Sequence, residues 1–185
     1  MRNDIYGIGI LVLVLWLVFI VDALIPAQLV GWGLHPRTLT GLIGVVSMPL
    51  LHGSLGHIVS NTVPLIVLLV LLSGSKANNW TIVLAVVLLN GALLWLFGRN
   101  AIHVGASGLV FGLIAFLIVS GAIEKRPIPL AIAVLVGLLF GGTLITGVLP
   151  RMGGQVSWDG HLTGAIAGGT VAYALTSFRS ASRAF

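Results

Sequence analysis

At 185 residues, with 58% hydrophobic and only 7% charged side chains and a mean hydropathy of +1.15, the chain is too apolar to be a soluble globular domain. The absence of cysteine excludes disulfides, thiolate-ligated metals and a cysteine nucleophile. Lys and Arg number nine but are scattered between apolar runs, with only Lys125 and Arg126 adjacent, so despite a pI near 10.9 they form no patch for nucleic acid, and the expected partner is the lipid bilayer. At about 20 residues per span, the length predicts roughly six transmembrane helices in one all-α membrane domain over residues 1–185, with no room for a separate soluble domain.

The first predicted span is 5–25, a nearly unbroken apolar run after Arg2 and Asp4. It is too long for a signal peptide, and it lacks a small-residue cleavage site. Asp22, close to Pro26, reads as interfacial. From Pro26 to Gly56 the apolar pieces are too short to span, because Gly31, Trp32, Gly33, His35, Pro36, Arg37 and Thr38 interrupt them. This predicts a long connection in which Leu39 to Leu51 dips into the bilayer edge against the other helices, since uncovered backbone at that depth is costly. Further spans are expected at 57–72, 80–97, 106–122, 130–149 and 160–178. They are separated by the polar turn Ser73 to Asn79, the loop Arg99 to Val104, the charged turn Glu124 to Pro129 and the connection Pro150 to Asp159.

With six spans, one face holds Arg2, Lys76, Lys125, Arg126, Arg179 and Arg183, and the other Arg37, Arg99 and Arg151. That bias predicts both termini in the cytoplasm. The second, fourth and sixth helices then begin at the outer face, and their first turns carry the polar residues: His57 and Asn61, Ser107, and His161. Such groups are costly in a membrane and tend to face the bundle interior and mark function.

Ser107 sits in Gly105-Ala106-Ser107-Gly108, where a polar loop runs into an apolar helix whose first N–H groups lack intrahelical partners. Gly105 can adopt positive φ at such a turn. Gly108 and Gly112 after Ser107 match Gly164 and Gly168 after His161, a small-xxx-small pairing that predicts close packing of the fourth and sixth helices. That packing would bring His161 to Ser107 as its general base. His57 and Asn61, four apart on one helix face, and the Ser107 backbone N–H could stabilise an oxyanion. Asp159, two residues from His161, should point elsewhere, so the constellation is a dyad.

Three separated motifs agree in order and spacing: His52 with His57-Ile58-Val59-Ser60-Asn61; Gly105-Ala106-Ser107-Gly108 with Phe111-Gly112; and Trp158-Asp159-Gly160-His161-Leu162-Thr163-Gly164 with Gly168. In these the chain resembles the rhomboid intramembrane serine proteases of the compact six-helix bacterial kind, over about Gly33 to Gly169. The resemblance implies a six-helix rhomboid-like bundle with a long, partly membrane-embedded first external loop. It implies Ser107 as nucleophile, His161 as base, and His57 and Asn61 as oxyanion donors, with Gly105, Gly108, Phe111 and Gly164 in supporting roles. It further implies a lateral gate near helices two and five, a cap at Pro150 to Ser157, and single-span membrane proteins in a bacterial inner membrane as substrates. Two features depart from some members. Phe111 stands where they have Tyr, and Trp32 and Arg37 do not form their Trp-Arg pair.

The remaining histidines read as structural: His52 bonding within the first loop, His35 interfacial, His103 in its loop. Neither a metal nor another cofactor is expected. No H-E-x-x-H occurs, and Asp22 and Asp159 lie at helix ends, unlike an aspartyl pair. A silent relative that binds transmembrane clients should lack Ser107 or His161, and a small transporter should show inverted repeats. Neither description fits.

Overall fold

The computed structural model describes residues 2–25, 28–76, 79–150 and 157–181. Among these, six long helices organise the chain: α1 (Arg2–Leu24), α2 (Leu55–Ser75), α3 (Asn79–Phe97), α4 (Ser107–Glu124), α5 (Pro127–Gly147) and α6 (Trp158–Ala181). The first five are long and apolar enough to cross a membrane. At about 1.5 Å per residue α6 is also long enough, but its Gly, Thr, His and Asp residues lower its hydropathy; of these Asp159, His161, Thr163 and Thr176 are buried against protein. The chain is an all-α membrane bundle.

Most helices begin earlier than their apolar runs suggest, for local reasons. The Ser54 hydroxyl accepts the His57 N–H at 3.2 Å, capping α2 from Leu55 rather than 57. Pro127, in the first turn of α5, has a preset φ and no N–H to satisfy, so this helix runs Pro127–Gly147 instead of 130–149.

Buried residues run almost without a break along α4, from Gly108 to Leu117, making it the axis of the bundle. α6 lies against it most extensively, and glycines set the distance. A Cβ on Gly164 would stand 2.1 Å from the Gly108 carbonyl oxygen, and one on Gly168 only 1.8 Å from that of Gly112. The anticipated pairing of small residues is therefore present, backbone against backbone. α5 covers another side of α4, yet only Pro129, Ala133 and Val136 along it are buried.

The segment between α1 and α2 is a series of short turns: Leu29–Trp32, Thr40–Leu42, Gly44–Ser47 and Met48–Leu50. It is sewn to the far end of α3. The Arg37 guanidinium donates to the carbonyls of Leu96 (3.2 Å) and Gly98 (2.8 Å), and Trp95 Nε1 donates to the Thr38 carbonyl at 2.8 Å. Arg37 thus caps the orphan carbonyls of α3, while Trp32 is exposed. Leu34 and His103 exchange backbone hydrogen bonds of 2.9 and 2.8 Å, tying the segment to the loop before Ser107. Leu39, Leu42, Ile43 and Val46 point outward, a surface suited to lipid and consistent with a segment lying at the bilayer edge. At the other end of the bundle the buried Lys76 and half-buried Glu124 form an ion pair joining the end of α2 to that of α4.

Candidate active site

Ser107 is the first residue of α4, and the turn before it is over-determined. Gly105 has φ +112°, a conformation that L side chains rarely adopt. Its N–H donates to the Met48 carbonyl at 2.9 Å, and the next amide, of Ala106, donates to His52 Nε2 at 3.4 Å. The Ser107 amide follows, in the first helical turn, where N–H groups have no intrahelical acceptor. Gly105 is required for space as well as for φ. A Cβ there would lie 2.5 Å from His57 Nε2 and 3.5 Å from Asn61 Nδ2, so both side chains rest directly on the serine turn.

His57 and Asn61 project from one face of α2, as their spacing of four predicts. Asn61 is buried and donates one amide proton to the His57 carbonyl at 3.1 Å, leaving its second N–H for other use. His52 packs edge-on against His57, with ring centroids 5.0 Å apart. Its bond to Ala106 crosses from the first connection to the serine motif, a partner beyond the loop in which a bond was expected. Burial first, and the neighbouring His57 second, hold the His52 pKa down at about 4. His52 is therefore a neutral acceptor at pH 7.

His161 lies in the first turn of α6, buried, with its ring stacked on Phe111 at 4.0 Å between centroids and 6° between planes. Phe111 is one helical turn below Ser107, so the stack sets the imidazole over the start of α4. His161 Nδ1 lies 3.0 Å from the Gly147 carbonyl. A carbonyl only accepts, so Nδ1 carries the proton, and in the neutral ring Nε2 is the basic nitrogen. Ser107, His161, His57, Asn61 and Phe111 all line one cavity of about 760 Å³, closed on another side by Leu139, Phe140 and Thr143 of α5. Gly108 and Gly164 lie beneath, in the seam that brings Ser107 and His161 to the same end of the bundle.

Sequence reasoning missed the groups that brace this end. The Asp159 carboxylate accepts from the Arg99 backbone N–H (2.8 Å), the Arg99 guanidinium (3.1 Å) and the Ser157 hydroxyl (3.1 Å). As expected it is committed away from His161. His103 is buried, with Nδ1 2.8 Å from Ser157 Oγ and Nε2 3.1 Å from the Arg99 carbonyl, and is thus part of a clasp between its loop and α6. Asn90 of α3 is almost fully buried; it accepts the Thr163 hydroxyl at 2.8 Å and abuts Gly108. A polar residue mid-run in an apolar helix was the signal available for Asn90. The cap expected at Pro150 to Ser157 falls largely on residues 151–156, outside the described residues.

The chain is similar to known proteins. The family model described as Rhomboid domain matches residues 39–178. The chain is 38% identical over 183 residues to Uncharacterized protein Rv1337 of Mycobacterium tuberculosis and to Uncharacterized protein Mb1372 of Mycobacterium bovis, covering 94% of this chain and 75% of each relative. It is 37% identical over 180 residues to Uncharacterized protein ML1171 of Mycobacterium leprae, covering 92% of this chain and 70% of that protein. With a family match over most of its length and relatives at this identity, the chain belongs to the rhomboid family.

Proposed function

We propose that this protein is an intramembrane serine endopeptidase that cleaves transmembrane segments through a Ser107-His161 dyad and an acyl-enzyme. One observation carries the reading: Ser107 and His161, 54 positions apart in the chain, line one cavity together with the two polar side chains of α2. A client-binding relative without chemistry would need neither group.

The steps follow from the groups present. Ser107 Oγ attacks the scissile carbonyl carbon as His161 Nε2 takes the hydroxyl proton. The charge then resides on the former carbonyl oxygen, with the Ser107 amide, the second Asn61 N–H and the His57 ring as its donors. Collapse breaks the C–N bond, His161 returns the proton to the leaving amine, and the acyl group stays on Ser107. Water then attacks the ester, with His161 as base again, releasing the acid and regenerating the serine. Ser60, Thr143 and Ser157 line the cavity and give that water polar partners. Phe111 supplies the stacking surface for His161 and no hydroxyl.

The basic-residue bias supports both termini in the cytoplasm of a bacterial inner membrane, with cleavage near the outer face. Substrates on this reading are single-span proteins with a small residue at the cut and a weakened helix below it, since the scissile backbone must leave its helix to reach Ser107. A serine-directed fluorophosphonate should label the detergent-solubilised protein. Ser107→Ala should lose labelling and cleavage completely and His161→Ala almost completely, both remaining folded by thermal unfolding. Equal labelling of Ser107→Ala would remove the nucleophile assignment.

A further inference from the structure

A serine-histidine dyad leaves open what orients the imidazole. The acid of α6, Asp159, is committed to Arg99 and Ser157. The polar contact shown for His161 Nδ1 is the Gly147 carbonyl at 3.0 Å, and Gly147 ends α5. We propose that Gly147 is a positioning residue, its backbone carbonyl performing for His161 the orienting work that a carboxylate performs in a triad. The inference rests on the dyad reading above.

Three observations support it. The carbonyl belongs to the last turn of a 21-residue helix, where C=O groups lack intrahelical donors and carry the negative end of the helix dipole. It is available to accept, and its field favours the imidazolium that forms when Ser107 loses its proton. The ring is also held from its face, by Phe111 at 4.0 Å and a 6° angle, so stack and hydrogen bond together define both its plane and its rotation about χ2. Finally, residue 147 must be glycine for this to occur. A Cβ there would lie 2.2 Å from Phe111 Cζ and 3.4 Å from His161 Nδ1, pushing apart the groups that it serves. Helix α5 is otherwise packed mainly on α4, so its terminal carbonyl gives the base a support independent of the helix that carries it.

The test alters the carbonyl and leaves every side chain in place. Replacing Val148 by its α-hydroxy acid converts the 147–148 amide to an ester, whose carbonyl is a poorer acceptor. The same change at Leu149, weakening the neighbouring carbonyl instead, is the control. In ring-¹⁵N-histidine protein, the wild type should show His161 protonated at Nδ1, and the 147–148 ester should raise the Nε2-protonated fraction, in the Ser107→Ala background too. Against a transmembrane substrate, kcat should fall about five- to tenfold with KM within about twofold, the range expected for one weakened hydrogen bond. The control ester should do neither. An Nε2-protonated ring in the wild type, or a 147–148 ester indistinguishable from the control, would overturn the role of Gly147. The tautomer readout needs no proteolysis, so it decides this point even if the protein proves not to cleave, while cleavage with the wrong tautomer would sink only the present inference.

Discussion

Helices α5 and α6 flank the same central helix, yet between its two ends α5 is held far less tightly than α6. α6 meets α4 through Gly164 and Gly168, where a single added carbon would strike a backbone carbonyl. Backbone cannot move aside as a side chain can, so the register between Ser107 and His161 has essentially one solution. α5 comes to backbone distance of α4 at its start, where a Cβ on Gly121 would stand 2.3 Å from the Pro129 carbonyl oxygen; beyond that turn Ala133 and Val136 are its buried residues, and Leu130, Val134, Leu135, Leu138, Leu139 and Ile145 face outward. Gly137, Gly141 and Gly142 have open space where a Cβ would be. The cavity thus has a wall that fixes the reacting groups in register and a wall that, apart from its end at Gly147, can adapt to what enters. In the proposed reaction, the first wall and the Gly147 end of the second serve the rate, and the rest of the second serves the choice of substrate.

The largest effect should come from adding one carbon to each wall. Gly168→Ala is expected to lower stability in detergent by about 3 kcal/mol or more, because the clash is with backbone. Gly141→Ala should be neutral or slightly stabilising, within about 1 kcal/mol, since alanine is the better helix former. Equal thermal unfolding midpoints for the two would erase the distinction.

Comparable in size are the effects expected at the polar groups that α2 contributes to the cavity. His57→Ala and Asn61→Ala should each reduce kcat by about 10²–10³, or roughly 3–4 kcal/mol of transition-state stabilisation. Their KM and unfolding midpoints should change little. Were both groups only structural, stability would instead drop by about 1–3 kcal/mol with kcat near normal, an outcome that single-turnover cleavage beside thermal unfolding would expose.

His52 makes the fixed wall sensitive to acid. Its folded pKa of about 4 lies below the ordinary histidine value of about 6.5, so between these values the unfolded chain binds more protons than the folded one. Stability is full above about pH 6.5 and falls as the pH drops towards 4, by roughly 3 kcal/mol in all. His52→Gln, which can still accept from the Ala106 N–H, should flatten that slope; an unchanged pH dependence of the unfolding midpoint would show that other groups cause it.

The smallest stability effect is expected on the adaptable wall. Leu139 lines the cavity and is 58% exposed, so Leu139→Ala should alter stability by no more than about 0.5 kcal/mol. It should raise KM for a bulky substrate by roughly three- to tenfold relative to a small one. A loss of stability with no change in substrate preference would assign Leu139 to packing instead.

Much of this contrast is legible in the chain. Long apolar runs specify membrane helices because lipid leaves backbone polar groups no other partner than their own helix. For the same reason a histidine, an asparagine or a serine within such a run is conspicuous, and His57, Asn61, Ser107 and His161 stand out from the residue pattern alone. Even the close seam is readable, since glycines at intervals of four line one helix face. What the sequence by itself determined was therefore the class of fold, the small-residue face of each helix in the seam and the polar residues of the candidate site. The tertiary structure alone decided who holds them: Gly147 on His161, His52 on Ala106, Asp159 on Arg99, Asn90 on Thr163. These partners are 14 to 73 positions apart, and no local period relates them. Each contact depends on where two helices or loops meet after packing, and a carbonyl such as that of Gly147 has no side chain by which a sequence could announce it.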